Sequence, residues 1–244
     1  VRGLFVTGTD TGVGKTILSG ALLAAIAAEG EQVWAHKPAV TGLEELSAEG
    51  DPGDTWPADH ELLAAAASMS PEEVAPLRYG PAVSPQLAAE LAGEPLDPKR
   101  LLASAALAAG NGAGATGTVI VEGVGGLLTP LAESFTVCDL AAALRLPVLI
   151  AARPGLGTIN HTLLTLQAAR AAGLTVRAVV LTPWPKQPSR LESSNREQIT
   201  RLGFVEVDVL SQAQGPDPAE LARIGAALPW RRWLGCRAGV SVQE

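Results

Sequence analysis

The sequence is short of most features that would assign it to a specialised class. Its two cysteines, Cys138 and Cys236, lie far apart and lack metal-ligand spacing. They read as reduced thiols rather than a disulfide framework or a zinc site. Basic runs are missing and the formal charge is −7, which argues against a general nucleic-acid binder. No apolar run reaches membrane-spanning length, because glycine, proline and charges break every candidate. The chain opens on a strand rather than a cationic leader. There is no Gly-x-Ser-x-Gly elbow, and neither cysteine has an activating neighbour. The histidines His36, His60 and His161 share no ligand spacing and read as packing or loop residues. A cytoplasmic protein is expected, with neither nucleic acid nor membrane as partner. Any catalysis must come from positioning and electrostatics, with the substrate supplying its own nucleophile.

What is present begins at Gly8-Thr9-Asp10-Thr11-Gly12-Val13-Gly14-Lys15-Thr16. A short apolar run, Leu4 to Thr7, precedes it. Ile17, Leu18, Ala21, Leu22, Ala25 and Ile26 follow at helical spacing. Strand, glycine-bearing loop and helix together make the context of a phosphate-binding loop. A helix start carries unpaired N–H groups and roughly half a positive charge, so it attracts phosphate. Glycines let the backbone approach the anion. Lys15 reaches the outer phosphates, and the Thr16 hydroxyl is placed to ligate magnesium. Where the general pattern opens on glycine this chain has Thr9, so the loop is a variant.

With 244 residues, 47% of them hydrophobic, the chain can bury one large core. Residues 1–244 are read as one domain, with a tail from about 229 left unplaced. Strands are predicted over 32–35, 118–121, 148–152, 176–181 and 205–209. Between them fall helical segments at 59–67, from Ser84-Pro85, 98–109, 137–144, 159–172, 191–202 and 219–227. Residues 37–57 read as a long loop and Gly110 to Gly117 as a flexible connector. Charge-free strands alternating with amphipathic helices give an α/β fold, a mostly parallel sheet with helices on both faces. With the phosphate loop, this is a three-layer sandwich of the P-loop NTPase kind. Ligands sit at the carboxyl ends of such strands, which selects Lys15, Thr16, Lys37, Glu122 and the stretch Gly155 to Asn160.

ATP requires magnesium, which takes oxygen ligands and keeps several waters. Thr16, Glu122 and Asp59 are the candidate ligands. The plainer alternatives are a Glu122 that accepts from loop amides and an Asp59 that caps its helix. Lys37 is either a solvated charge or a second cation facing the transferred phosphoryl group.

The motifs line up with one family. The loop at 8–16, Lys37-Pro38-Ala39-Val40-Thr41-Gly42, Val121-Glu122-Gly123-Val124-Gly125-Gly126-Leu127-Leu128-Thr129-Pro130-Leu131 and Gly155-Leu156-Gly157-Thr158-Ile159-Asn160-His161 run in order. In these the chain resembles the dethiobiotin synthetases, which use ATP to close the ureido ring in biotin synthesis. The resemblance implies a homodimer that binds 7,8-diaminononanoate near the subunit interface and captures CO2 on it as a carbamate. Lys15 and Lys37 would be catalytic. Gly12, Val13, Gly14, Lys15, Thr16 and Ile17 would hold the nucleotide with Asp59, Glu122 and Thr182. Thr16, Asp59 and Glu122 would hold Mg2+. Thr11, Thr41 and Gly125 would line the diamine site, and Gly157, Thr158 and Asn160 would take the substrate carboxylate from the partner subunit. Thr182-Pro183-Trp184-Pro185 stands where the family often carries an asparagine that reads the base. Switch ATPases of the ParA or MinD type are the nearest rival within the fold. They carry a signature lysine where this chain has Asp10, and they need a membrane- or DNA-binding surface.

Overall fold

The computed structural model describes residues 2–44, 56–111 and 117–235. Its centre is a six-stranded sheet in the order β2-β3-β1-β6-β7-β8, all neighbours parallel. The strands are β1 (Gly3–Gly8), β2 (Val33–His36), β3 (Thr118–Glu122), β6 (Val148–Ala152), β7 (Val176–Trp184) and β8 (Glu206–Ser211). A two-stranded antiparallel ribbon, β4 (Pro130–Ala132) and β5 (Phe135–Thr136), stands apart. The chain leaves β1 for β2 and β3 on one side, then crosses back to lay β6, β7 and β8 on the other. The crevice at the strands' carboxyl ends, where the two directions diverge, is where such sheets bind ligands.

Alternation along the strands builds two apolar layers. Leu4, Val6, Ile120, Leu149, Ala151 and Val180 face one side. There they meet Leu18, Leu22 and Ile26 of α1 (Lys15–Ala28), Leu62 and Leu63 of α2 (Asp59–Ala67), and a C-terminal helix pair described below. Four-residue α3 (Pro71–Val74) adds Val74, while α4 (Pro85–Leu91) belongs to a separate small cluster with Tyr79. Phe5, Val119, Val121, Ile150, Val179 and Leu181 face the other side. They pack on α5 (Pro98–Asn111), α6 (Val137–Leu144), α7 (Thr158–Ala171) and α8 (Arg190–Gly203). Because both faces are covered, β1, β3 and β6 are buried throughout, which is why they read as charge-free runs.

Most helix starts follow their local chemistry. The Ser84 hydroxyl accepts from the Leu87 N–H ahead of Pro85, and the Asp97 carboxylate accepts from the Lys99 N–H. Most boundaries shift by one or two residues, and two of them bear on the expected loops. Helix α5 runs through Gly110 to Asn111, and the remainder of the expected connector, 112–116, lies outside the described residues. Strand β7 continues past Leu181 to Trp184 because it pairs with β8 as far as Ser211. Of the expected loop, 45–55 also lies outside. Its first part is tied down by Val40, which bonds both Leu77 and Tyr79 through its backbone.

The tail from Pro229 finds a place. After α9 (Pro218–Gly225), α10 (Trp230–Trp233) buries Trp230 and Trp233 at 2% and 1% exposure. Arg232 and the Trp233 ring N–H both donate to Glu206 on β8. Two residues on, burial and the neighbouring Glu206 push the Asp208 carboxyl up to about 6. Residues 236–244, with Cys236, lie outside the described residues.

Helix α9 approaches α1 so closely that only glycine fits at its last position. A Cβ on Gly225 would lie 2.1 Å from the Ala21 carbonyl oxygen and 3.0 Å from the Ala25 Cβ. Alanine in a helix ordinarily gains about 1 kcal/mol over glycine, but overpacking against fixed backbone costs about 1–3 kcal/mol. Gly225→Ala is therefore expected to destabilise the fold by up to about 2 kcal/mol in urea titrations.

Candidate active site

The loop between β1 and α1 is shaped by two glycines at positive φ, Gly12 at 67° and Gly14 at 87°. Gly14 is also the residue that begins α1, and no side chain caps that helix. Its first N–H groups are left for an anion, and no acid in the first turn competes. A Cβ on Gly14 would sit 2.7 Å from the Thr182 Cγ2 at the end of β7, so the loop and the β7 end meet directly. Val13 is buried beneath the loop. The Lys15 ammonium folds back to donate to the Asp10 carbonyl at 2.8 Å. Burial lowers its pKa to about 8, opposed by the attraction of Glu122 and reinforced by Lys37.

Beside the loop four side chains from four elements converge. The Lys37 ammonium, at the end of β2, donates to Glu122 Oε1 at 2.5 Å and to Asp59 Oδ2 at 2.7 Å. The Thr16 hydroxyl donates to the same Glu122 oxygen at 2.9 Å. Glu122 is fully buried at the end of β3, and its second oxygen has no hydrogen-bond partner. Burial alone would lower the Lys37 pKa, but Asp59 and Glu122 outweigh it and hold the amine above its ordinary value. Burial acts on Asp59 in the opposite sense, and Lys37 again prevails, keeping that carboxyl below its ordinary range.

These contacts remove the plainer alternatives the sequence left open. Lys37 is not a solvated charge, since it is 3% exposed. Glu122 bonds side chains rather than loop amides. Asp59 opens α2 but turns its carboxylate to Lys37, while Glu61 takes the N–H at the start of that helix. His36 and His60 are buried and His161 is exposed. Burial brings the His36 pKa down to about 4 and lowers that of His60.

A cavity of about 1400 Å3 opens along this rim. Thr11, Gly12, Gly14, Lys15, Thr16 and Ile17 border it, and so do Lys37, Asp59 and Thr182. Of the residues expected to face a diamine, Thr41 and Gly125 join Thr11 there. Gly157, Thr158 and Asn160 do not border it. Gly157 begins α7 at φ 88° without a side-chain cap, Thr158 is buried against Thr162, and Asn160 is exposed. Gln212 and Gln214, just past β8, also border the cavity. Sequence reading passed over them, although the rule that ligands lie beyond strand ends would have selected them.

The oxygen donors suit a hard, small cation. Among the described residues no group of three or more His, Cys, Asp or Glu stands ready to hold a metal alone. Two carboxylates, one of them with an unpartnered buried oxygen, and a hydroxyl instead fit Mg2+, which keeps waters and shares phosphate oxygens.

Known proteins bear on this geometry. Residues 2–214 match the AAA domain family. The ATP-dependent dethiobiotin synthetase BioD of Anaeromyxobacter dehalogenans strain 2CP-1 is 42% identical over 225 residues, spanning 91% of this chain and 95% of that protein. The chain belongs to the dethiobiotin synthetase family. Members from Mycobacterium sp. strain KMS and Bacillus subtilis subsp. natto are 36% and 34% identical over 95% and 83% of this chain, and cover 97% and 83% of their own lengths. At the level of fold alone, chloroplast FtsY from Physcomitrella patens superposes with a TM-score of 0.51 at 16% identity. That match takes in 92% of this chain and 64% of FtsY. The loop lysine, Lys15, is the first residue of α1 and borders the cavity. Lys15→Ala is expected to lower ATP turnover by roughly 10²-fold or more, read as phosphate release at saturating substrate.

Proposed function

We propose that this protein is a Mg2+- and ATP-dependent dethiobiotin synthetase acting on 7,8-diaminononanoate and CO2. The observation that carries the reading is the gathering of Lys15, Lys37, Thr16, Asp59 and Glu122 beside one cavity. Such a site can steady anions, and its two ammonium groups and the Thr16 hydroxyl are already engaged in hydrogen bonds.

The substrate then supplies the nucleophiles. One amine adds to CO2 and gives a carbamate. A carbamate oxygen takes the γ-phosphoryl group of ATP, releasing ADP. The second amine attacks the carbonyl carbon of the mixed carbamic–phosphoric anhydride; phosphate leaves and the ureido ring is closed. Negative charge accumulates on the carbamate and on the phosphoryl oxygens, and two ammonium groups beside them lower its cost. Lys15 is assigned to the phosphates with the amides of Gly12, Val13, Gly14, Thr16 and Ile17. Lys37 is assigned to the carbamate and the phosphoryl group in transfer. Thr16, Asp59 and Glu122 would hold Mg2+, which when bound neutralises charge on the phosphate oxygens. Thr11, Thr41 and Gly125 would line the diamine.

The uncapped start of α7 at Gly157-Thr158, with Asn160, suits a carboxylate. It lies off the cavity, so the diamine's tail would meet it across a homodimer interface, from the partner's site. Thr182 would border the base. The whole chain acts as one synthetase domain in this reading, and it works in the cytoplasm. Among the described residues no helix is long and apolar enough to cross a membrane.

The assay that tests this follows phosphate release with diamine, bicarbonate, Mg2+ and ATP. Release should require the diamine, and ATP splitting at one rate with or without it would overturn the reading. Lys37→Gln should retain ATP binding yet lose the chemical step in single-turnover experiments. With Thr182-Pro183 in place of an asparagine, CTP or GTP should support turnover nearly as well as ATP; competition among the three nucleotides measures this.

A further inference from the structure

The cage that suits a divalent cation already holds a cation of its own. Lys37 donates to Asp59 Oδ2 and Glu122 Oε1 at 2.7 and 2.5 Å, and Thr16 shares the same Glu122 oxygen at 2.9 Å. These are the oxygens assigned above to Mg2+. Magnesium binds oxygen at about 2.0–2.1 Å, so an ion on both carboxylates would occupy nearly the volume of the lysine nitrogen. Three positive charges would then face two negative ones. One cation must leave.

The cage also looks built for a second occupant. Glu122 Oε2 is fully buried and bonds nothing, an acceptor that Lys37 does not use. Lys37 borders the cavity, so its ammonium can withdraw from the carboxylates without entering the apolar core. Among the described residues the cavity offers it no second carboxylate pair. Anionic oxygens of a nucleotide or a carbamate would provide the replacement. Lys15 does not compete for the cage, because its ammonium is held on the Asp10 carbonyl.

We propose that Lys37 is the resident counter-ion of the metal cage, and that a divalent ion enters only by displacing its ammonium from Asp59 and Glu122 into the cavity. This rests on the assignment of Thr16, Asp59 and Glu122 as the Mg2+ ligands. It gives Lys37 a positioning role before its chemical one. The lysine keeps the two carboxylates paired while the site is empty, disfavours metal without nucleotide, and is delivered to the reacting anions by the metal's arrival. Metal entry and the placing of the second lysine become one event.

The test uses Mn2+ as probe, titrated into the nucleotide-free protein and followed by the EPR signal of free Mn2+. Wild type should bind weakly and Lys37→Met at least tenfold more tightly, whereas Glu122→Gln in either background should abolish that binding. Equal Mn2+ affinity in wild type and Lys37→Met would overturn the exchange while leaving the metal assignment intact. Failure of both to bind Mn2+, with or without a non-hydrolysable ATP analogue, would overturn the assignment and the exchange together. Since Lys37→Met leaves two carboxylates unpaired, a second measurement uses wild type alone. Reductive methylation mapped by mass spectrometry should find Lys37 protected in metal-free protein and reactive once Mn2+ saturates. Protection that persists at saturation would overturn the proposal.

Discussion

The structure depends on an arrangement of buried charge at one edge of a buried sheet. Glu122 ends a strand with no access to water, and an unpaired carboxylate there would carry a desolvation cost of several kcal/mol. Lys37 offsets it from the neighbouring strand, and Asp59 and Thr16 complete the group from two helices. Neither strand position tolerates a neutral partner without stranding its opposite number. The four elements are therefore held in register by electrostatics as well as by packing. The group is thus paired in advance, with the Lys37 ammonium held between the two carboxylates.

Around that group the backbone contributes what side chains do not. Gly14 starts α1 in a left-handed conformation with no cap, and Gly157 does the same for α7. Both fourteen-residue helices thus begin at the sheet's carboxyl edge without a side-chain cap. Elsewhere Ser84, Asp97, Thr136, Ser189 and Asp217 satisfy their helix starts with side-chain oxygens. The contrast separates helices that finish themselves from those whose ends are left open to an anion.

Much of this could be read from the chain. Strands such as Thr118 to Val121 and Val148 to Ala152 are bare of charge because helices cover both faces, and the loop at 8–16 announces its chemistry by spacing. Order along the chain also picked Lys37 and Glu122 as rim residues, and Asp59 as a candidate magnesium ligand. Their mutual contacts were not legible, since they sit on different elements and no spacing rule relates them. Three short features also escaped. Helix α3 has four residues and the β4–β5 ribbon five, too few for any period to emerge. The tail offers Trp230-Arg231-Arg232-Trp233, whose arginines suggest solvent while its tryptophans are among the most buried side chains of the fold. Only the neighbouring Glu206 and the α1 surface decide that question, and both are remote in sequence. The reach of β7 to Trp184 was hidden because Pro183 normally argues against a continuing strand.

The contact at Gly225 has a mechanical consequence. Helix α1 begins without a side-chain cap at its first turn and, two turns along its length, receives the end of α9 against bare backbone. A rod seated at both places cannot tilt to follow a departing product without prising open that seam. Whatever opens and shuts during turnover must then belong to the lighter segments around the cavity mouth, with the anion cradle acting as the fixed jaw.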